Sequence, residues 1–272
     1  MGFSLKNGGY PELWIGKFDI FSDEIFAHGV STRHGGFSTG ALASLNLGLH
    51  VDDDPALVVR NRELFCRALG ADFESLVTCQ QVHGVKVAKA TRCEAGMGSR
   101  NYESSIPDTD ALITNEPGLP LMLFFADCTP IMIADPVNRA IGVAHGGWKG
   151  TLGGIAVITI EAMAREYGSR PENLLASVGP SIGPCCYAVR SDVADRFQER
   201  YPGYADDILK LENGEIMLNL WECNRRQLLN AGVPAKNIDK ADTCTSCNHK
   251  QFFSYRADKG KTGRIGALMM IR

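Results

Sequence analysis

Short apolar runs bounded by turn residues predict the strands of this chain. Residues 76–90 alternate apolar residues with lysine and predict two strands around Gly84, while LPLMLFFADC and LLASVGPSIG are typical of single strands. IMIADPVNRAIGVAH has the pattern of a hairpin that turns at residues 135–138. FFSYRADKGKTGRIGALMMIR predicts two further strands around a glycine-rich turn.

Longer segments that carry helix-start and helix-stop residues lie between these strands. Asp53 or Asp54 is the expected cap of a helix that ends before Gly70, and Gly168 closes a second helix. Because groups of strands are separated by helices, the pattern predicts a mixed α/β (α+β) fold in which helices cover the sheets. The predicted helices span residues 55–67, 151–167, 190–200 and 219–231.

The composition of the 272 residues argues against several classes of protein. A hydrophobic fraction of 44% and a charged fraction of 22% are typical of soluble globular proteins, and the net charge of −3 provides no basic field for nucleic acid. No apolar run reaches the about 18 residues of a transmembrane helix, and the start of the chain lacks the features of a signal peptide. We therefore expect a cytoplasmic protein whose residues 1–272 form a single domain.

Three segments each end an apolar run with a side chain that can bind a metal. They are QQVHG with His83, FFADCTP with Cys128 and GVAHGGW with His145. Zinc prefers such nitrogen and sulfur donors, and three protein ligands leave a fourth position for water or substrate, as in catalytic zinc sites. The spacing is unlike that of a zinc finger and suits ligands from separate strands at one sheet edge. The alternative is a buried cysteine beside two hydrogen-bonded histidines.

Asp127 precedes Cys128 and is the candidate group for proton transfer. Proline cannot donate to a sheet ladder, so we expect Pro130 to break the strand and to let Asp127 and Cys128 approach one cleft. A buried aspartate without a function would be costly. Its alternative role is that of a loop cap bonded to backbone amides.

The stretch AHGGWKGT connects His145 to a predicted helix. Its glycines allow a sharp turn, the helix N-terminus offers free N–H groups, and Lys149 adds a positive charge, which together favour a bound anion. The alternative is an ordinary connection between a strand and a helix.

A polar segment, STRHGGFSTGALASLNLGLHVDDDPALV, is too long for a simple turn, and such loops are functional or else disordered. Arg33 and Asn46 lie in it and Arg62 follows it, where they would bind phosphate or ribose hydroxyls through hydrogen bonds. For Arg62 the alternative is a solvated helix face. Arg256 and Arg264 flank the C-terminal turn and either reach the cleft or close a hairpin.

Most of the nine cysteines are expected to be thiols in a reducing compartment. Cys244 and Cys247 form a CxxC motif, which can be redox-active or half of a zinc site. Because the chain has no second CxxC, a four-cysteine zinc site is not expected. Cys185 and Cys186 are expected to pack behind the SIGP loop.

Nine motifs, in order, resemble those of the YfiH/YlmD family, long labelled multicopper polyphenol oxidoreductase or laccase-like. The resemblance extends from about Phe26 to the C-terminus and is carried by STRHGGFS, SLNLG, NR, QVHG, DTDALIT, ADCTP, AHGGWKGT, GPSIGPCCY and FFSYRAD with TGR. It implies a layered α/β/β/α sandwich similar to the catalytic domain of cytotoxic necrotising factors. One departure is Lys149, where family members often have arginine, whose bidentate guanidinium fork lysine lacks.

The resemblance also implies a function and the residues that perform it. The function is zinc-dependent phosphorolysis of adenosine, inosine and S-methyl-5'-thioadenosine, together with adenosine deamination. Zinc would be held by His83, Cys128 and His145, and the catalytic residues would be Asp127, Cys128 and His145. The candidate residues for binding substrate or phosphate are Arg33, Asn46, Arg62, Gln81 and Lys149.

Three other functions are consistent with the same residues. A cysteine hydrolase or amidase, for example one that edits peptidoglycan precursors, would use Cys128 as nucleophile and His145 as base. A copper-dependent polyphenol oxidase uses similar ligands, but multicopper oxidases need many more histidines than the six present. The last is a binding module that only keeps the metal. For the phosphorylase we expect purine nucleosides and phosphate as partners, no nucleic acid or membrane, and a monomer or small homo-oligomer.

Overall fold

The structure, a computed structural model that describes residues 2–272, contains two large β-sheets and a small one. The strands are β1 (Phe3–Asn7), β2 (Trp14–Phe18), β3 (Phe26–Ser31), β4 (Val87–Lys89), β5 (Ala111–Thr114), β6 (Leu121–Phe125), β7 (Thr129–Asp135), β8 (Ala140–Gly146), β9 (Leu175–Val178), β10 (Ala188–Val189), β11 (Leu209–Glu212), β12 (Glu215–Leu218), β13 (Ile238–Lys240) and β14 (Ile265–Ile271). The helices are α1 (Pro55–Ala68), α2 (Trp148–Gly153), α3 (Ile155–Tyr167), α4 (Ser191–Arg200), α5 (Ala205–Ile208) and α6 (Leu220–Asn230).

The two large sheets differ in strand direction. The first has the order β1-β2-β3-β14-β6 and is antiparallel throughout. The second has the order β13-β9-β7-β8-β5-β4 and is mixed, since β13 pairs parallel to β9 and β4 pairs parallel to β5. The small sheet, β10-β12-β11, is antiparallel.

The central strands are mostly apolar and are buried along their whole length, since both of their faces pack against other layers. On β6, Leu123 points into the core between the two large sheets, whereas Phe124 points to the outer face that α1 covers. On β7, Met132 contributes to the same central core and Ile133 packs towards α3 and α6. The layers are therefore helix, sheet, sheet and helix, which confirms the predicted α/β/β/α architecture.

The predicted helices are present with small changes in their bounds. Asp54 caps α1 by accepting a hydrogen bond from the backbone N–H of Ala56 at 2.8 Å. The second predicted helix begins earlier, at Trp148, and is divided into α2 and α3 at Gly154, whose φ is +84°. Gly168 ends α3 with a φ of +71°, as predicted. Across residues 2–272, none of the helices has both the length and the apolar character needed to cross a membrane.

The strand predictions are confirmed in part. The hairpin is present as β7 and β8, and the Asp135 carboxylate accepts hydrogen bonds from backbone N–H groups in its turn. The predicted pair of strands at 76–90 is wrong, because the first half makes only isolated bridges, Val77 to Leu121 and Cys79 to Ile106. The C-terminal segment likewise contains one strand, β14, preceded by turns.

The predicted strand break at Pro130 is also wrong in its position. The chain turns earlier, at residues 126–128, and Pro130 is the second residue of β7, opposite His145 of β8. Proline is tolerated there because it lies near the start of the strand, before pairing with β9 begins at Ile131. Residues 126–128 therefore form a turn at the end of the second sheet.

Candidate active site

Three side chains that can bind a metal meet at one end of the second sheet. His83 lies in the loop before β4, Cys128 in the turn before β7, and His145 near the end of β8. Pairing of Thr129 with Gly146 brings the last two segments together. One ligand atom from each of the three side chains lies within 4.8 Å of the others. The structure thus brings together the three residues that the sequence suggested as a ligand set.

Asp110 organises both histidines. Its Oδ1 lies 2.8 Å from Nδ1 of His145, and its carboxylate accepts hydrogen bonds from the backbone N–H groups of His83 at 2.9 Å and Gly84 at 2.7 Å. These bonds hold His83 at a φ of +61°, which is uncommon for a residue with a side chain. They leave Nε2 of His145 as the metal-binding nitrogen, an arrangement typical of metal-ligating histidines.

Asp110 lies in the motif DTDALIT and was not among the site residues predicted from the sequence. The signal that would have found it is a carboxylate directly before the buried strand β5, where an unpaired charge would be costly.

The ionisation of Cys128 favours metal binding, whereas His145 must lose a proton before it can bind a metal. Burial has the largest influence on the pKa values of Cys128 and His145, and it opposes the charged form of each side chain. Against it, His145 and His83 lower the pKa of the Cys128 thiol to about 6. The Cys128 thiolate and Asp110 raise the pKa of His145 to about 9. The thiolate, which is the form that binds metals, is therefore favoured.

Gly147 lies against the ligand set. A Cβ atom there would lie 2.8 Å from Cδ2 of His83 and 3.2 Å from Sγ of Cys128. Any side chain at this position would therefore displace a ligand. The glycines of AHGGWKGT thus permit close packing of the backbone against the three side chains, and the donor set with its buried carboxylate partner fits a bound metal ion.

Lys149 lies away from the ligand set, which corrects its predicted place at the site. Its side chain is exposed and borders a separate depression together with Arg196 and Arg200. The cause is the short helix α2, which begins at Trp148 and turns the next side chain outward.

A cavity of about 540 Å³ lies above the three side chains, within the size range of small-molecule sites. Its lining combines five tyrosine, phenylalanine and tryptophan rings with polar, cationic and metal-binding side chains. The lining residues include His50, Gln81, His83, Tyr102, Phe124, Asp127, Cys128, His145, Trp148, Tyr187, Tyr255, Arg256 and Arg264.

Asp127 borders this cavity and is held in a fixed orientation. Oδ1 accepts a hydrogen bond from the Thr245 hydroxyl at 2.6 Å, and Oδ2 accepts one from the backbone N–H of Arg256 at 2.6 Å. Its φ of +81° bends the chain between β6 and β7. The carboxylate thus has the backbone bond expected of a loop cap, and it also lies at the cavity beside the ligand Cys128.

Arg33 does not reach the cavity, which corrects its predicted place in the site. Its guanidinium donates to the carbonyl oxygens of Ala43 at 3.1 Å and His249 at 2.7 Å, and it stacks on the ring of Phe253. These contacts fix the long polar loop against the C-terminal segment. The loop is thus ordered, and its arginine has a structural role.

Arg62 and Asn46 are likewise engaged within the protein. Arg62 is fully buried and donates to the carbonyl oxygens of Leu47, Gly98 and Ser99. Asn46 is also buried, and its amide oxygen accepts a hydrogen bond from the backbone N–H of Arg264. Neither residue lines the cavity, so the predicted contacts with phosphate or ribose are replaced by contacts with the backbone.

Gln81 does line the cavity, as the sequence suggested, but its amide forms hydrogen bonds with both the backbone N–H and the backbone carbonyl of Phe124, each at 2.8 Å.

Arg264 lines the cavity and has hydrogen-bond donors that are free to bind a ligand. Its Nη1 donates to two backbone carbonyls, while Nε and Nη2 have no acceptor within residues 2–272. Burial, followed by the charges of Arg264 and Arg62, lowers the pKa of the neighbouring His50 to about 3. Arg264 is therefore the best-placed cation for an anionic ligand.

Comparison with known proteins gives concordant matches along the chain. A family model described as multi-copper polyphenol oxidoreductase laccase matches residues 27–272. "Purine nucleoside phosphorylase YlmD" of Geobacillus stearothermophilus is 41% identical over 242 residues, which cover 89% of this chain and 88% of that protein. "Adenosine deaminase RL5", from an unknown prokaryotic organism, is 32% identical over 225 residues, covering 82% and 86% respectively.

The fold agrees with the sequence matches. The crystal structure of hypothetical protein YfiH from Bacillus licheniformis superposes with a TM-score of 0.92 at 35% identity and covers 99% of both chains.

Proposed function

Because this chain belongs to the multi-copper polyphenol oxidoreductase laccase family, the family of YfiH and YlmD, we propose that it is a purine nucleoside phosphorylase with adenosine deaminase activity. The observation that carries this proposal is the joint placement of His83, Cys128 and His145 beneath an aromatic cavity large enough for a nucleoside. The proposed substrates are adenosine, inosine and S-methyl-5'-thioadenosine. The matched relatives span nearly the whole chain, which supports residues 1–272 acting as one catalytic domain.

Zinc is the proposed metal, held by His83, Cys128 and His145. Two imidazoles and a thiolate suit zinc, and this set leaves room for a fourth ligand. When bound, zinc supplies a Lewis acid to the site. Asp110 orients the histidines and Gly147 lets the backbone pack against them.

Asp127 is the proposed group for proton transfer. In deamination, water adds to C6 of the purine and ammonia leaves; in phosphorolysis, phosphate attacks C1' of the ribose and the purine leaves. Both reactions need a group that gives or takes a proton at the reacting atoms. Asp127 borders the cavity, and each of its oxygens keeps a free lone pair beyond its bond to Thr245 or Arg256.

The remaining lining would bind the substrate. The rings of Tyr102, Phe124 and Tyr187 offer surfaces against which a purine can stack, since a base presents a flat π-face. Arg264 would bind phosphate through its free donors. This places the anion on the C-terminal segment, at one of the two arginines that flank its glycine-rich turn.

The test is an assay of purified, zinc-loaded protein with adenosine in the presence and absence of phosphate, with identification of the products. Adenine and ribose 1-phosphate should form only with phosphate, and inosine and ammonia should form in both. Zinc content is measured on the same sample. Failure to release purine in the presence of phosphate would contradict the phosphorylase.

A cysteine hydrolase is the second candidate, favoured by the placement of the Cys128 sulfur beside the imidazole of His145. The two functions differ in their need for metal. A hydrolase that uses this pair retains turnover after chelation, whereas the phosphorylase loses it.

A further inference from the structure

A second cluster of metal-binding side chains lies outside the proposed active site. The Sγ atoms of Cys185, Cys186, Cys244 and Cys247 all lie within 4.8 Å of one another. The first two belong to the loop that follows β9 and the other two to the CTSC segment after β13. The sequence contains no second CxxC and therefore predicted no four-cysteine zinc site, but in the structure Cys185 and Cys186 supply two further sulfur atoms beside CTSC.

We propose that these four cysteines form a structural zinc site, independent of the proposed function. Four thiolates complete a tetrahedral shell and leave no position for substrate, as in structural zinc sites. With Zn–S bonds of about 2.3 Å, the sulfur atoms of such a shell lie about 3.8 Å apart. Sγ of Cys247 lies 3.5 Å from that of Cys185 and 3.4 Å from that of Cys186, close to this value.

The backbone around the cluster is arranged to stabilise the thiolate of Cys244. Sγ of Cys244 accepts hydrogen bonds from the backbone N–H of Gly183 at 3.2 Å and from that of Cys247 at 3.5 Å. Hydrogen bonds to ligating sulfur atoms orient them and balance their charge. The guanidinium of Arg256 donates to the backbone carbonyl of Cys186 at 3.0 Å and so ties the loop of the cysteine pair to the C-terminal segment.

A disulfide explains the cluster less well than a metal does. Cys247 lies at nearly equal distances from two partners, so any single disulfide would leave two thiols of the cluster unpaired. All four cysteines are free thiols in the structure. A zinc ion uses all four and takes the thiolate form of each.

The site would connect two loops that border the active-site cavity. The first loop carries Ile182 and Tyr187, and the second leads to Tyr255 and Arg256. Thr245, within CTSC itself, donates to the carboxylate of Asp127. Zinc at the cluster would therefore keep one side of the cavity in place without contacting the substrate.

Zinc analysis of the wild-type protein and two variants tests the proposal. Wild-type protein should hold about two zinc ions per chain, and Cys247→Ser should lose one of them. Cys93→Ser changes an exposed cysteine that belongs to neither cluster and should lose none. Retention of full zinc content by Cys247→Ser would overturn the proposal.

X-ray absorption of the Cys128→Ala protein provides a readout that does not depend on the folding of a cluster variant. The zinc that remains should be bound by sulfur alone, at about 2.3 Å. Loss of all zinc from this variant, or nitrogen in the remaining shell, would overturn the proposal, as would a disulfide among the four cysteines in denatured, unreduced protein. If the proposed active site held no zinc, Cys128→Ala would keep the wild-type zinc content and the sulfur-only shell.

Discussion

The two clusters of metal-binding side chains differ in the number and type of their ligands, in their access to the cavity and in the groups that support them. His83, Cys128 and His145 offer three mixed donors beside a cavity, and a buried carboxylate orients the histidines. The four-cysteine cluster of Cys185, Cys186, Cys244 and Cys247 offers sulfur alone, and backbone N–H groups support it. Two of its members are exposed, yet none lines the cavity.

The contrast indicates how one chain can use one metal site for catalysis and another for structural stability. Three ligands leave an open coordination position, which is useful only where substrate can reach it, whereas four ligands close the shell and contribute to stability. Asp127 connects the two regions, since it neighbours Cys128 in the chain and accepts a hydrogen bond from Thr245 of the CTSC segment. Disrupting each region in turn therefore has different expected consequences.

The largest expected effect is that of Cys128→Ala. Turnover of adenosine should fall by about 10⁴-fold or more, because Lewis-acid assistance is worth several kcal/mol and is lost with the metal. Cys247→Ser should keep turnover within about tenfold of wild type, because the four-cysteine cluster only supports the cavity. Initial rates measured at saturating substrate compare the two variants. Equal losses in both would remove the distinction between the clusters.

The next effect is that of Asp127→Asn. Turnover should fall by about 10² to 10⁴-fold, since the amide cannot take up a proton, while zinc content and melting temperature stay near wild type. Thr245→Val is the matched control, because it removes one hydrogen bond to the carboxylate and keeps its charge. It should cost less turnover than Asp127→Asn. A fully active Asp127→Asn protein refutes proton transfer by this residue, and one that unfolds or loses zinc indicates a structural role.

Asp110→Asn should weaken zinc binding by His83, Cys128 and His145 by about 10- to 100-fold, the typical cost of removing a partner that orients a metal ligand. The NH2 group of the new amide would face either His145 or the backbone N–H groups that now donate hydrogen bonds to the carboxylate, and it could not accept those bonds. Competition with a chelator measures the affinity. Asp135→Asn, a buried turn aspartate outside both clusters, is the control. Unchanged zinc affinity in Asp110→Asn would show that the carboxylate is not needed to orient the histidines.

The smallest effect separates two arginines. Arg264→Ala should raise the phosphate KM by about tenfold, because hydrogen bonds to charged groups are worth about 1.5 kcal/mol or more. Arg33→Ala should leave this KM unchanged, since its donors already bind carbonyl oxygens away from the cavity. Rates at varied phosphate and fixed adenosine measure both. A raised phosphate KM in Arg33→Ala and an unchanged one in Arg264→Ala would assign phosphate binding to the long polar loop instead.

Local patterns predicted much of the fold. The helix α1 begins where Asp54 caps it, the β7–β8 hairpin turns at Asp135, and α3 ends at Gly168. Each of these depends on residues that are close in the sequence. The failures at residues 76–82 and 252–264 have two other origins. The first segment makes isolated bridges to distant parts of the chain, and the second folds into consecutive local turns instead of a strand.

The sequence by itself predicted a mixed α/β fold and suggested three candidate ligands, because periodicity, caps and ligand types are local properties, while the layered arrangement was implied by the family resemblance. Only the tertiary structure decided that Asp110 orients the histidines, that Arg264 rather than Arg33 faces the cavity, and that CTSC meets a cysteine pair some 60 residues away. The physical reason is that these contacts depend on sheet pairing and loop packing between distant segments. Neither their distance nor their direction is encoded in local spacing.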